Sequence, residues 1–333
     1  MGQFRFTLET YSGSKTKFRC PQCGKRTFTK YIDTETSEYL NDTVGRCDRE
    51  GKCSYHYKPK QYFIDNGVAH KNVFLNGTSS TSPTPKVYFP MDLLKKSRKS
   101  YSKNSFVSHL LTLFDSETVE LLIQTYQLGT SSGQWPGACV FWFIDIQGRV
   151  HAGQVKLFLN GHTAKYSTDD GENHSCTTWV HSILARKSFP HPDWLAKYIQ
   201  QEKKVTCFFG EHLLQNSKKP IAIVEAPATA IIASVYLPMY TWLASGSLSY
   251  LTPRRCEVLK GKKVVLFPDL NAYLKWKPIA DQLGFSCSSM LELNATESQK
   301  AQGLDIRDFL EKFRISEFMA TDHLLRQGNE IES

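Results

Sequence analysis

The stretch "KKVVLFPDLNAYLKW", Lys262 to Trp276, reads as a short buried strand that stops at an acid. Lys263 to Phe267 is the apolar run, and Asp269 stands just past its end. Asn271 follows two residues later, where a metal site would take a second carboxylate. A run this apolar belongs to a strand covered on both faces, and the flanking sequence supplies more strands and their covers. "PIAIV" (Pro220 to Val224) is a buried strand, followed by Glu225 and the helical "APATAIIASVYL" with Pro227 in its first turn. "MYTWLA" is a second strand. "TPRRCEVLKG" predicts a helix with Thr252 as N-cap, Pro253 at its first position and Gly261 as terminator. "KKVVLF" is the third strand, "NAYLKWKPIADQLG" the next helix, and "SSMLEL" a fourth short strand; "GLDIRDFLEKF" closes the series.

Four apolar strands alternating with helices imply an α/β fold: an open parallel sheet with helices on both faces. Ligands bind such sheets beyond the carboxyl ends of the strands. Glu225 and Asp269 lie at or just past two such ends. Two acids converging there suit a Mg²⁺-dependent phosphoryl-transfer site, one holding a hard cation while the other relays a proton or shares the metal. Acids at strand ends also serve as plain helix caps, and the pattern alone leaves both readings open.

The chain has 333 residues, with 41% hydrophobic and 12% aromatic composition, enough for two or three modules. "MGQFRFTLET" has no apolar core of a secretory signal and no Ser/Thr at position six for myristoylation. Ile221 to Ala244 is broken by Glu225, Pro227 and Pro238, so it reads as buried core and not as a membrane span. Nine cysteines without a signal point to a reducing compartment, the cytoplasm, where clustered cysteines bind metal. Residues 1–104 hold 19 Lys/Arg against 9 Asp/Glu, while 105–333 hold 22 against 23, so the net charge of +9 has its whole excess in the first third. A localised positive field favours phosphate backbones; a well-solvated surface is the plainer alternative.

"FRCPQCGKRTF" places Cys20 and Cys23 on one tight turn, and "GRCDREGKCSYHY" places Cys47 and Cys53 on another. Gly24 and Gly51 supply the turns, and "TFTKYIDTET" between the pairs alternates like a strand. This is the layout of a zinc ribbon with four thiolates around Zn²⁺. The second pair is wider than usual, which leaves His56 as a substitute for Cys53. The other cysteines sit in apolar runs as packing residues. "NGTSSTSPTP" (Asn76 to Pro85) is too polar to pack and reads as linker. After it, Lys95, Lys96, Arg98, Lys99 and Lys103 surround Tyr101. Tyr55, Tyr57, Tyr62 and Phe63 could stack bases of single-stranded DNA as well as fill a core. His162, His174 and His181 fit no compact metal site.

Past this point a family comes into view. A strand ending in Glu, a strand ending in Asp and a late acidic segment resemble the TOPRIM domain of DnaG-type primases, topoisomerases and related nucleases. "ACVFWFIDIQGRVHAGQVKLF" (Ala138 to Phe158) is similar to the primase stretch of strand, Asp-x-x-Gly-Arg turn and second strand. "TYQLGTSSGQW", "AKYSTDD" and "FFGEHLL" occupy the places of further primase segments, and the ribbon followed by a linker completes the primase order. The sequence looks closest to the primase-like proteins of bacterial mobile elements, particularly among Bacteroidetes.

The resemblance implies a TOPRIM-like Rossmannoid sheet, an α+β primase-core subdomain and an N-terminal β zinc ribbon. The expected boundaries are 1–66 for the ribbon, 67–104 for a basic flexible linker, 105–215 for the core subdomain, 216–313 for the TOPRIM domain and 314–333 for a tail. It implies Glu225 as general acid/base or ligand to Mg²⁺ or Mn²⁺, and Asp269 as a metal ligand. Asn271 falls in the place of a second Asp, and Asp305 or Asp308 in that of a further acid. Lys156 and Lys165 become contacts to nucleotide or template. Lys95, Lys96, Arg98, Lys99 and Tyr57 become nucleic-acid contacts, and Arg149 a support for its turn through Asp145. The implied activity is synthesis of short RNA primers on single-stranded DNA from nucleoside triphosphates. A helicase or replication protein is a further implied partner, in a bacterial, phage or mobile-element setting. Ala226 replaces the usual Gly, and Asn271 carries no charge, which keeps two alternatives in play: a DNA-binding relative with a weakened site, and a TOPRIM nuclease.

Overall fold

The computed structural model describes residues 5–10, 16–49, 53–66, 85–168, 173–187, 189–201, 204–247 and 250–320. It divides into two units, Met1–Pro85 and Lys86–Ser333. The expected linker at 76–85 lies outside the described residues except for Pro85, as does the tail from 321 onward.

In the first unit, β1 (Phe6–Leu8), β2 (Phe28–Asp33), β3 (Gly45–Cys47) and β4 (His56–Tyr57) form one antiparallel meander, followed by α1 (Pro59–Asp65). Phe28, on β2, is fully buried, and around it the core is Cys20, Cys47 and Cys53 with Phe18, Cys23 and Tyr55 against them. So few apolar groups cannot offset the conformational entropy of a folded module, and the cysteines must contribute through a metal.

The second unit begins with α2 (Met91–Ser97), α3 (Ser105–Leu113) and α4 (Ser116–Thr125). Residues 86–104 were expected to be flexible linker, and here the structure differs. Phe89 bridges to Val150, and Phe89 and Leu94 are buried against Trp142 and Tyr198. The basic Lys95 and Lys96 directly follow the apolar Leu93 and Leu94, and the apolar anchors determine the fate of the segment. Asn104 is wholly buried and caps α3 through the N–H groups of Phe106 and Val107.

Next come β5 (Gly129–Thr130), β6 (Cys139–Ile144), β7 (Val150–Lys156), β8 (Phe158–Leu159), β9 (His162–Thr163), β10 (Lys165–Ser167), β11 (Asn173–Ser175) and β12 (Thr177–Trp179). Strands β12, β7, β6 and β5 form an antiparallel sheet in that order. On β6, Cys139, Phe141 and Phe143 join one apolar cluster, while Val140, Trp142 and Ile144 join another. Period-two alternation therefore gives a strand that is apolar throughout. Its turn is the expected one: Asp145 accepts from the N–H of Gln147 and Arg149, pairs with Arg149 Nε at 2.7 Å, and Gly148 takes φ +79°. Asp145 also accepts from His151 Nε2 at 2.9 Å, a contact the sequence did not announce.

Helices α5 (Val180–Lys187) and α6 (Asp193–Gln200) lead to a second sheet. It comprises β13 (Ile221–Val224), α7 (Pro227–Tyr236), β14 (Thr241–Ala244), α8 (Pro253–Cys256), β15 (Val264–Leu266), α9 (Tyr273–Leu283) and β16 (Ser286–Cys287). All pairings are parallel, in the order β14-β13-β15-β16. Ala222 and Val224 face the cluster that includes α7, while Ile221 and Ile223 face Trp276 and Ala280 of α9. The helices therefore cover both faces, as expected. The segment read as a membrane-like core, Ile221 to Ala244, is strand, helix and strand. No helix among the described residues is long and apolar enough to cross a membrane.

One strand assignment changes. "SSMLEL" is not the fourth strand; Ser286–Cys287 is, and Met290–Asn294 forms α10. Met290 and Leu291 turn together onto the apolar cluster, a placement a helix allows and a strand's alternation forbids. Helices α11 (Glu297–Gln302) and α12 (Ile306–Leu310) follow, each opened by a capping box.

The β6–β7 sheet leaves no room at Gly153, where an added Cβ would lie 2.7 Å from Trp142 Cζ3 and 2.8 Å from Val180 Cγ2. Gly153→Ala is expected to cost about 1–3 kcal/mol, read as a lowered Tm in thermal unfolding. An unchanged Tm would contradict this packing.

Candidate metal and acidic sites

In the ribbon, the four cysteine sulfurs lie within 4.8 Å of one another. Cys20 and Cys53 Sγ are 3.6 Å apart, and Cys23 and Cys47 Sγ 3.9 Å. Four thiolates around Zn²⁺ at its usual bond length would be roughly 3.8 Å apart, so these residues fit zinc as they stand. The N–H of Lys25 lowers the Cys23 thiol to about 7, as a knuckle that stabilises a thiolate should. Burial pushes Cys53 up to about 12, a cost that a bound cation would remove. The open question of the fourth ligand is resolved in favour of Cys53. His56 is outside the group, with Nε2 3.0 Å from the hydroxyl of Tyr31. Cys53→Ser should abolish zinc content by atomic emission, and His56→Ala should keep one zinc per chain. Loss of zinc in His56→Ala with retention in Cys53→Ser would reverse the assignment.

The acids belong to the parallel sheet. From β13 the chain passes through α7 to β14 on one side, then crosses to β15 on the other. The gap between β13 and β15 at their carboxyl ends is thus the point where the strand order reverses, the usual ligand crevice of such sheets. Glu225 is the first residue after β13, and Asp269 follows β15 by three. Both are half-buried, and among the described residues neither side chain accepts a hydrogen bond from the protein. Burial raises the Glu225 carboxyl; the Lys156 ammonium offsets part of that rise, and Asp305 adds to it. Asp269 is held well above its ordinary range by burial and by repulsion from Asp305, Glu225 and Asp308. Lys156, the last residue of β7, is shifted down by burial and back up by Glu225, Asp305 and Asp269. The site is therefore an acid cluster in the field of the Lys156 and Lys275 ammoniums and the Arg307 guanidinium.

The other expected acids have structural duties. Asp305 caps α12 by accepting from the N–H of Asp308, whose carboxylate accepts in turn from the N–H of Asp305. The Thr229 hydroxyl donates to Asp305 at 2.6 Å. Arg307, almost fully buried, pairs with Asp308 at 3.4 Å and Glu311 at 3.6 Å, and donates to the carbonyl of Gly161. Sequence reasoning missed Arg307 and Thr229; the i,i+4 spacing of Arg307 and Glu311 was the available signal.

Asn271 departs from its expected place as a ligand. It is exposed and takes φ +69°, a conformation Asn tolerates better than most residues. Its side-chain amide donates to the carbonyl of Lys300, and its backbone N–H to Glu292. No three of these acids bring ligand atoms within 4.8 Å of one another; among the described residues only the four cysteines form such a group. The donor set suits a cation of the Mg²⁺ kind, which is held by one or two carboxylates and completed by water and phosphate. It does not suit an all-protein cage.

The nucleic-acid contacts expected from the sequence lie elsewhere. Lys95 and Arg98 line an open cavity of about 540 Å³ with Tyr101 and Gln127, and Arg98 donates to Gln127. Lys96 and Lys99 are exposed beside it, and Lys165 is exposed on β10. Tyr57 donates its hydroxyl to Asp65 at 2.7 Å within the ribbon.

The sign of the acid repulsion is testable. An acid raised in the folded state binds protons more readily there, so its destabilisation is absent below its ordinary value and grows as pH rises above it. Without added divalent cation, Asp269→Asn should therefore raise Tm at pH 7, with the gain shrinking toward pH 3.8, the ordinary aspartate value. A lower Tm at pH 7 would contradict the crowding.

No curated protein matches the chain. Among solved structures, the primase fragment of the bacteriophage T7 primase-helicase protein is similar at 13% identity and TM-score 0.35, covering 86% of this chain and 98% of that one. The zinc-binding and RNA polymerase domains of the Aquifex aeolicus primase are similar at 13% identity and TM-score 0.39, covering 94% and 79%. A zinc beta-ribbon finger family matches residues 4–68, the segment that carries the four cysteines. A second family matches residues 104–270, from the buried cap Asn104 to just past Asp269, and this is half of the chain. The chain belongs to that family, described as Domain of unknown function (DUF6371).

Proposed function

We propose that the protein is a primase-like nucleotidyltransferase that joins ribonucleotides into short primers on single-stranded DNA, for replication or mobilisation of a mobile element. One observation carries the reading: among the described residues Glu225 and Asp269 stand without hydrogen bonds at the reversal point of a parallel sheet, both raised first by burial and further by the charge of Asp305. The sequence order of ribbon, core hairpin and acid-tipped strands supports it. Under this reading the ribbon grips template, residues 105–215 and 216–313 act as core subdomain and TOPRIM domain, and a helicase or replication protein recruits the enzyme in the cytoplasm of the host.

A Mg²⁺ or Mn²⁺ ion held by Glu225 and Asp269 would supply neutralisation of charge on the phosphate oxygens. The chain's own groups do the rest. The Lys156 ammonium, which lies in the field of the acids, holds a phosphate oxygen of the incoming nucleotide. The Glu225 carboxylate accepts the proton of the primer 3′-hydroxyl. The 3′-oxygen then bonds to the α-phosphorus, the bond to the bridging oxygen breaks, and pyrophosphate leaves.

Asn271 favours a second reading, a DNA-binding relative whose site no longer turns over, because its amide is committed to Lys300 and adds no charge. Primer synthesis on single-stranded DNA with labelled ribonucleotides, with Mg²⁺ and Mn²⁺ compared, separates the two. Metal-dependent short products are expected, falling at least a hundredfold in Asp269→Ala and in Glu225→Gln. No product from protein that retains zinc and binds the template would establish the second reading, and fragmentation of labelled DNA would point to a nuclease.

A further inference from the structure

Arg307 is nine-tenths buried, yet no carboxylate closes on it as a tight pair. Asp308 lies 3.4 Å from Nη2, Glu311 3.6 Å from Nε and Asp305 4.0 Å from Nε. Among the described residues Nε makes no hydrogen bond. Each carboxylate has a commitment of its own. Asp305 and Asp308 each accept the other's N–H in the capping box, and Glu311 meets His109 Nε2 at 3.1 Å. A buried guanidinium usually takes one carboxylate in a two-pronged grip. This one is shared by a cluster and neutralises no single member.

Its place in the fold is fixed from several sides. Leu270, next to Asp269, donates its N–H to the carbonyl of Leu304 at 2.9 Å. Thr229 of α7, four residues after Glu225, donates to Asp305 at 2.6 Å. The start of α12 is thereby fastened to both acid-bearing segments. Arg307 Nη1 reaches the other way and donates to the carbonyl of Gly161 at 3.1 Å. Gly161 turns the chain between β8 and β9 with φ +79°, and β8 begins two residues past Lys156. An added Cβ there would lie 2.5 Å from His109 Cε1, so the turn is tightly seated. The guanidinium is thus held between the strand end that carries Lys156 and the helix that borders the acids. Its charge favours the ionised form of Asp269 and disfavours that of Lys156. Asn271, committed to Lys300, brings no second carboxylate.

We propose that Arg307 is a positioning residue of the acid site, a fixed countercharge that keeps Asp269 ionised and limits the acids to one divalent cation. The proposal rests on the nucleotidyltransferase reading. Removing a neighbouring positive charge helps a doubly charged ion about twice as much as it helps a proton. Loosening a packed site weakens metal binding instead, so the sign of the change separates a countercharge from a merely structural arginine. Free Mn²⁺ would be followed by electron paramagnetic resonance in the zinc-loaded full chain without nucleotide, with Tm as the check on folding. In Arg307→Gln the Mn²⁺ Kd is expected to fall at least threefold. In Arg307→Lys, which keeps the charge, it should stay within twofold of the wild type. Arg307→Gln with Glu311→Gln removes the guanidinium together with a carboxylate beside it, and serves with the same expectation if the single variant unfolds. A folded uncharged variant that binds Mn²⁺ no more tightly than the wild type overturns the proposal, as does an equal tightening in Arg307→Lys; in both cases Mn²⁺ held by the wild type leaves the nucleotidyltransferase reading standing. A wild type that binds no Mn²⁺ overturns both.

Discussion

Ile221–Val224 is packed between two apolar clusters, so no charge can sit on that strand before its last residue. The same holds for Val264–Leu266 beside it, where Val264 and Leu266 are buried. Charges needed near the centre of the sheet must therefore wait for the strand ends, and the reversal of strand order opens a crevice at those ends. Glu225 and Asp269 fall there because the strands leave them nowhere else to go. Crowded by Asp305 and Asp308, they carry an electrostatic cost that the fold does not remove with hydrogen bonds of its own. Lys156 arrives from the other sheet and offsets part of it. Natural domains retain such costs at functional sites, where a ligand removes them.

The ribbon depends on a different constraint. Its interior is Phe28, Val44, Phe63 and a set of thiols, and the thiols are spaced as zinc would space them. Here metal binding is folding free energy. One unit thus depends on zinc for its shape, and under the proposed function the acids of the other would hold a divalent cation.

Much of this was legible in the sequence. The runs around Ile223 and Val265 announced doubly covered strands, the Cys-x-x-Cys turn announced its metal, and Asp145–Arg149 announced its turn. Three features were not legible. Lys95 and Lys96 suggested a linker because charge density dominates a local reading, whereas Phe89 and Leu94 dominate the packing. "SSMLEL" looked like a strand because a short apolar run has no decisive period, and only contact with the cluster near Phe309 makes it a helix. Asn271 looked like a depleted ligand; its left-handed backbone and its bond to Lys300 give the residue a local reason to be Asn. Asp305 and Asp308 were identified as acids of the site, but their capping box shows how one motif serves a helix start and an electrostatic field together.

Under the proposed function, Glu225 and Asp269 make one divalent-cation site at the reversal of the sheet. Electron paramagnetic resonance of free Mn²⁺, titrated into the zinc-loaded full chain without nucleotide, is the measurement to make. The account predicts one saturable Mn²⁺ site that disappears in both Glu225→Gln and Asp269→Ala, with zinc content unchanged. Saturable binding that survives both substitutions, or no binding in the wild type, would contradict it.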